Sequence, residues 1–272
     1  MSGTLTRVLA AAAGLAVLVP VLVWGGWTGM AVLVALMAGV GIWEYASMAF
    51  PAHRLQMLPQ LATGTLTVVL SLQGGFAEAG GAVCVLVFVA LAARGVFQSD
   101  VPLERGADHV GRLVLGCCWM GLLATLLLIR ATDPGMVGVW WVVLTLSISW
   151  MGDTGAYFAG RALGKTPLYK RISPKKTREG FFGGLVFSVL GVVVISQTVL
   201  TAIPLEGAVA LGVVGGCAGV LGDLFESLLK RSFGVKDSGS IMPGHGGILD
   251  RIDSVLFVGP VVYGYMVFFP AA

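Results

Sequence analysis

The chain has 272 residues, of which 57% are hydrophobic and only 11% charged, with a net charge of +3. A soluble domain carries about a quarter charged residues, so this chain could not cover a water-facing surface, and its apolar excess must face lipid. The small net charge gives no sign of a nucleic-acid partner.

Nine apolar runs are long enough to span a bilayer, near 5–23, 28–50, 57–74, 80–98, 111–130, 136–158, 181–200, 207–229 and 252–269. The first has Arg7 ahead of an apolar stretch, as a signal peptide would. No small-x-small cleavage site follows in Val17–Trp27, so it reads as a retained helix. Glu44 sits in the second run between Trp43 and Tyr45, where an interfacial place is at least as good a reading as a functional one. The third run is the weakest, and the sixth and eighth contain acids.

Placing the N-terminus inside puts 16 of the 17 Lys and Arg residues inside, leaving only Arg130 outside. That sidedness supports nine spans, N-in and C-out. Trp24, Trp27, Trp140 and Trp141 then fall at the outer interface. The fold class is therefore an all-α polytopic membrane protein, a single transmembrane domain over 1–272. Residues 1–134 read as scaffold and 135–272 as the catalytic part, with a cytosol-facing polar cavity. The 40 glycines suit close helix approach. The four cysteines all lie in apolar runs and read as packing residues.

Acids inside spans are costly and usually face a cavity. Asp153 lies eight residues before Arg161, about 12 Å below the inner surface. Asp223 lies seven residues before Lys230, about 10 Å below it. Two aspartates at similar depth on different helices could meet and hold a hard divalent cation such as Mg²⁺. Glu226 and Ser227 share the face of Asp223 at i+3 and i+4. Polar helix packing is the plainer account of all these groups.

Two basic, Gly-rich stretches follow these helices. In 159–180, seven basic residues surround Ser173-Pro174-Lys175-Lys176-Thr177, which reads as a proline-stiffened turn. Adjacent lysines there suit a polyphosphate, although the P-loop pattern is absent. In 227–253, Lys230, Arg231, Lys236, Asp237, His245, Asp250, Arg251 and Asp253 mix with five glycines. Asp250 and Asp253 open the last helix, where acids also simply favour a helix N-terminus.

This last segment resembles the signature of the phosphatidate cytidylyltransferases, the CDP-diacylglycerol synthases. Ser227, Lys230, Arg231, Lys236, Asp237, Gly239, Pro243, His245, Gly246, Gly247, Asp250, Arg251 and Asp253 match across 27 residues without a gap. Met242 is a volume-conserving departure. The segments GDTGAYFAGR, SPKKTREG and GDLFES resemble further blocks of the family, so the likeness by motif covers roughly 150–255.

The resemblance implies a reaction in which CTP and phosphatidic acid give CDP-diacylglycerol and pyrophosphate, with Mg²⁺ and also K⁺. It implies Asp223 and Asp250 as metal ligands, with Asp153 and Glu226 as further candidates. Ser173, Lys175, Lys176 and Thr177 would hold the triphosphate. Lys230, Arg231, Lys236 and Arg251 would hold the lipid phosphate or pyrophosphate, with His245 donating to phosphate and Asp237, Gly246 and Gly247 beside the substrates. The family admits a homodimer, and the compact length points to a bacterial plasma membrane with the site facing the cytoplasm. An ion-coupled transporter with intramembrane carboxylates is the rival reading, and it would call for matched repeats, which the sequence does not display.

Overall fold

The computed structural model describes residues 3–73, 89–90, 93, 102–133, 135–242 and 246–269. Helices run over α1 Gly3–Trp24, α2 Gly26–Ala49, α3 Arg54–Gln73, α4 Gly106–Gly121, α5 Ala124–Ala131 and α6 Met136–Leu163. A hairpin of β1 Pro167–Tyr169 and β2 Ser173–Thr177 follows. Three helices complete the chain: α7 Arg178–Thr198, α8 Leu205–Ser232 and α9 Leu249–Phe268.

Six helical segments among the described residues are long and apolar enough to cross a membrane: α2, α4 with α5, α6, α7, α8 and α9. The chain is an all-α polytopic membrane protein. The first and third expected runs also form helices, α1 and α3. The fourth, 80–98, lies outside the described residues except for 89–90 and 93. The fifth is broken, because Leu122 and Leu123 donate to Trp119 O and Met120 O three residues back, a tightened 3₁₀ pattern. Gly121, against Val68 of α3, ends the first piece.

The chain divides into two compact units, 33–124 and 1–32 with 125–272. In the first, α3 packs on α4, and Tyr45, Met57, Leu61, Leu113 and Met120 are buried. The Tyr45 hydroxyl donates to Arg112 O at 2.7 Å, and Arg112 donates to Ala49 O at 3.0 Å. Glu44 of α2 is buried, at 2% exposure.

The second unit is built on glycine contacts. An added Cβ at Gly155 of α6 would lie 2.6 Å from Gly183 O of α7, and one at Gly184 2.9 Å from Gly152 O. On α8, a Cβ at Gly212 would lie 2.6 Å from Val189 Cα of α7, and one at Gly222 2.5 Å from Asp253 O of α9. Backbones this close exclude side chains, which is how small residues let membrane helices associate. Ser188 of α7 adds a buried hydrogen bond to Ile148 O of α6 at 2.9 Å.

The segment 173–177 is a strand, not the expected turn. Pro167 pairs with Thr177 and Tyr169 with Ser173, while the turn falls on Lys170, Arg171 and Ile172. A proline is tolerated on such an edge strand. Thr177 caps α7, its hydroxyl accepting from Gly180 N at 3.1 Å. Glu179 accepts from the backbone N–H groups of Lys165 and Thr166 at 3.1 and 3.2 Å. These bonds fix the hairpin to the start of α7.

Candidate active site

Asp153 and Asp223 meet. Asp153 on α6 and Asp223 on α8 line one cavity of about 440 Å³, together with Tyr157, Arg161, Lys175, Lys176 and Thr177. The hairpin brings the two lysines over the helices, and the Lys176 ammonium pairs with Asp223 Oδ2. Ser227, one turn on, donates to Asp223 Oδ1 at 3.4 Å. Arg161 donates to the Tyr157 hydroxyl at 2.9 Å. Asp153 and Asp223 repel each other, and Lys176 and Arg251 offset that repulsion. The cavity thus holds two carboxylates beside lysine ammonium groups, which suits a phosphorylated ligand carrying a hard cation.

A second cluster lies one turn further along α8. Lys230 is buried, and its ammonium bridges Glu226 Oε2 at 2.6 Å and Asp250 Oδ1 at 2.5 Å. Asp250 Oδ2 accepts from Gly247 N at 2.8 Å, Ser238 Oγ at 2.9 Å and Ser238 N at 3.1 Å. Gly246 has φ +81, and a Cβ there would strike the Asp250 carboxylate, so that position needs glycine. Met242 N donates to Gly246 O at 3.0 Å. The Gly-rich segment is therefore folded onto the first turn of α9.

This geometry changes the reading of several residues. Lys230, expected to grip a substrate phosphate, has its ammonium engaged by two carboxylates instead. Glu226 is 1% exposed, and its Oε1 has no hydrogen-bond partner among the described residues. Arg231, Lys236, Asp237 and Arg251 are exposed, and Arg231 donates to Val235 O at 3.2 Å. Ser173 opens β2. His245 lies outside the described residues.

Asp253 was not among the expected site residues. It is buried at 8% exposure, accepts from Ser254 N at 2.7 Å, and feels the charges of Asp223, Glu226 and Asp153. It stands between the two clusters. The i,i+3 spacing from Asp250 is the signal that could have found it. Among the described residues, no three acidic, histidine or cysteine side chains converge to enclose a metal ion.

The model of the cytidylyltransferase family matches residues 5–269. A phosphatidate cytidylyltransferase of Bacillus subtilis (strain 168) is 40% identical over 163 residues, 60% of this chain and 60% of the relative. One of Staphylococcus epidermidis is 48% identical over 125 residues, 46% of this chain and 48% of the relative. Phosphatidate cytidylyltransferase 5, chloroplastic, of Arabidopsis thaliana is 42% identical over 166 residues, 56% of this chain and 41% of the relative. The aligned part of the chain thus spans between 41% and 60% of the length of these curated relatives.

Proposed function

Because this chain belongs to the cytidylyltransferase family, we propose that it transfers CMP from CTP to phosphatidic acid, giving CDP-diacylglycerol and pyrophosphate. The observation that carries this reading is the cavity in which Lys175 and Lys176 of the hairpin converge with Asp153 and Asp223 of two helices apolar and long enough to span a membrane. The names of the relatives supply the substrates. The rival transporter reading has no observation in its favour.

In the proposed reaction, a phosphate oxygen of the lipid attacks the α-phosphorus of CTP. The bond from that phosphorus to the bridging oxygen breaks, and pyrophosphate leaves with the electron pair. The chain need not supply a nucleophile, since the lipid phosphate is one. Its work is to hold two anions together and to face positive charge toward the departing pyrophosphate. Lys175 and Lys176 are placed to do so for the triphosphate. Arg161 and Arg251, beside the same carboxylates, are further anion partners.

Mg²⁺ is commonly bound by one or two carboxylates with substrate phosphate oxygens completing the shell. The donor set fits that pattern: Asp223 and Asp153 line the cavity, with Asp253 close by. At Asp250 a cation competes with the Lys230 ammonium. When bound, the ion would neutralise phosphate charge and polarise the phosphorus under attack. K⁺ and a homodimer rest on the family resemblance. So does the placement in a plasma membrane with the cavity open to the cytoplasm, where CTP is found.

The test uses purified protein with CTP, phosphatidic acid and Mg²⁺, reading pyrophosphate release. Asp223→Asn should lower turnover at least about 100-fold, the scale of losing one preorganised transition-state contact. Near-normal turnover in that variant, with unchanged Mg²⁺ dependence, would sink the assignment.

A further inference from the structure

We propose that a second cavity in the unit, at the far ends of α6, α8 and α9, is a binding site for a phospholipid with an ammonium-bearing headgroup. The cavity measures about 990 Å³, at the upper end of ligand pockets, which run to about 1,000 Å³. Its mouth is at Glu206, 17 residues before Asp223 on one unbroken helix, hence about 26 Å from the candidate active site. The two cavities therefore lie toward opposite faces of the membrane.

The walls determine what enters. Ile203, Ala210, Leu211, Val214 and Val261 line the cavity without a polar side chain among them. The three helices that bound it are each long and apolar enough to span a membrane, so hydrocarbon, not water, is the surrounding medium. Gly264 lines the cavity too, and a Cβ built there would meet nothing within 4 Å. The interior suits an acyl chain.

The mouth selects the head. Glu206 is exposed and has neither an ion pair nor a hydrogen bond among the described residues. Beside it, Tyr265 stands between Trp141, 6.3 Å away, and Phe269, stacked at 5.4 Å. A carboxylate next to aromatic rings attracts an ammonium group and disfavours a purely anionic head. The helix dipole accounts for an acid in the first turn of α8, but not for the apolar cavity beneath it. Charge complementarity thus favours an aminophospholipid over an anionic lipid or a second copy of this chain.

The experiment puts the full chain in vesicles of phosphatidylethanolamine or phosphatidylglycerol with brominated acyl chains, and reads tryptophan quenching. Subtracting Trp141→Phe isolates the Trp141 signal. We expect that signal to be quenched, and Gly264→Leu, which plugs the cavity from within, to restore it. At equal lipid, phosphatidylethanolamine should quench it about two- to fivefold more effectively, the preference that an exposed cation–π contact supplies. Glu206→Gln should reduce that preference while quenching persists. An unquenched Trp141, or quenching indifferent to Gly264→Leu, overturns the site. Equal quenching by both lipids overturns the headgroup assignment, and Trp141 shielded only in a dimer gives the groove to a second copy. None of these readouts depends on cytidylyltransferase activity.

Discussion

Lys230→Met tests whether the second cluster is an internal strut. Methionine keeps most of the aliphatic stem and removes the ammonium that joins Glu226 and Asp250 at 2.6 and 2.5 Å. Glu226 is 1% exposed, so its carboxylate cannot turn to water for compensation. Removing one partner of a buried pair costs about 3–5 kcal/mol. For a chain of this size each kcal/mol is worth about 2–4 °C, so the melting temperature should fall by about 6–20 °C. Glu226→Gln is the contrasting variant. It leaves an oxygen to accept from Lys230 and removes one of two negative charges around one cation, so it should cost less than about 1 kcal/mol. The assay is thermal unfolding of purified protein in one detergent, without substrates. The double variant Glu226→Leu with Lys230→Met should recover at least half of the loss, because apolar replacement of a buried pair is often close to neutral. A Lys230→Met protein that melts within about 2 °C of the parent, less than 1 kcal/mol, refutes the strut.

Four further outcomes follow from distances. Gly155→Val drives a side chain into Gly183 O and the Phe187 ring, both 2.6 Å from the added Cβ; it should cost about 1–3 kcal/mol or more in thermal unfolding. Gly264→Ala, which meets nothing, should cost nothing and gain up to about 1 kcal/mol. Thr177→Ala removes the cap on Gly180 N and should cost about 1 kcal/mol, with faster amide exchange confined to the first turn of α7. Ser238→Ala removes one of the three donors on Asp250 Oδ2, and turnover should fall about fivefold, one hydrogen bond's worth, with Ser238→Thr restoring it.

Six of the nine expected spans were legible among the described residues because a run of apolar residues has one common solution in lipid, a helix that satisfies its own backbone. Asp153 and Asp223, which line one cavity, were legible as neighbours too, since residues at similar distance from a basic boundary on neighbouring helices lie level. The hairpin was not legible: β1 has three residues and β2 five, too short and too polar to show alternation. The break at Leu122 and Leu123 carries no proline or polar residue, only a preceding glycine, and arises where α4 packs on Val68. The fate of Lys230 was hidden for another reason. Its partner Asp250 is 20 residues away, and no local pattern reports that a Gly-rich loop will bring the two together.

Asp223 and Glu226 stand one turn apart on α8, yet they have opposite surroundings. Asp223 opens onto a cavity and meets Lys176 from a hairpin. Glu226 is sealed under Lys230, which also holds the start of α9. An amide substitution at the first removes a group available to ligand; at the second it alters the charge balance of an internal joint. Loss of activity alone cannot separate these, because unsettling the joint shifts Asp253, whose carbonyl lies against Gly222, one residue before Asp223. The two roles separate only when turnover and melting temperature are measured on the same preparation. Asp223→Asn should change turnover while leaving melting nearly unchanged, since its ion pair is partly exposed and such pairs contribute under about 1 kcal/mol. A matching drop in both would place Asp223 in the joint with Glu226 and leave the cavity without its central carboxylate.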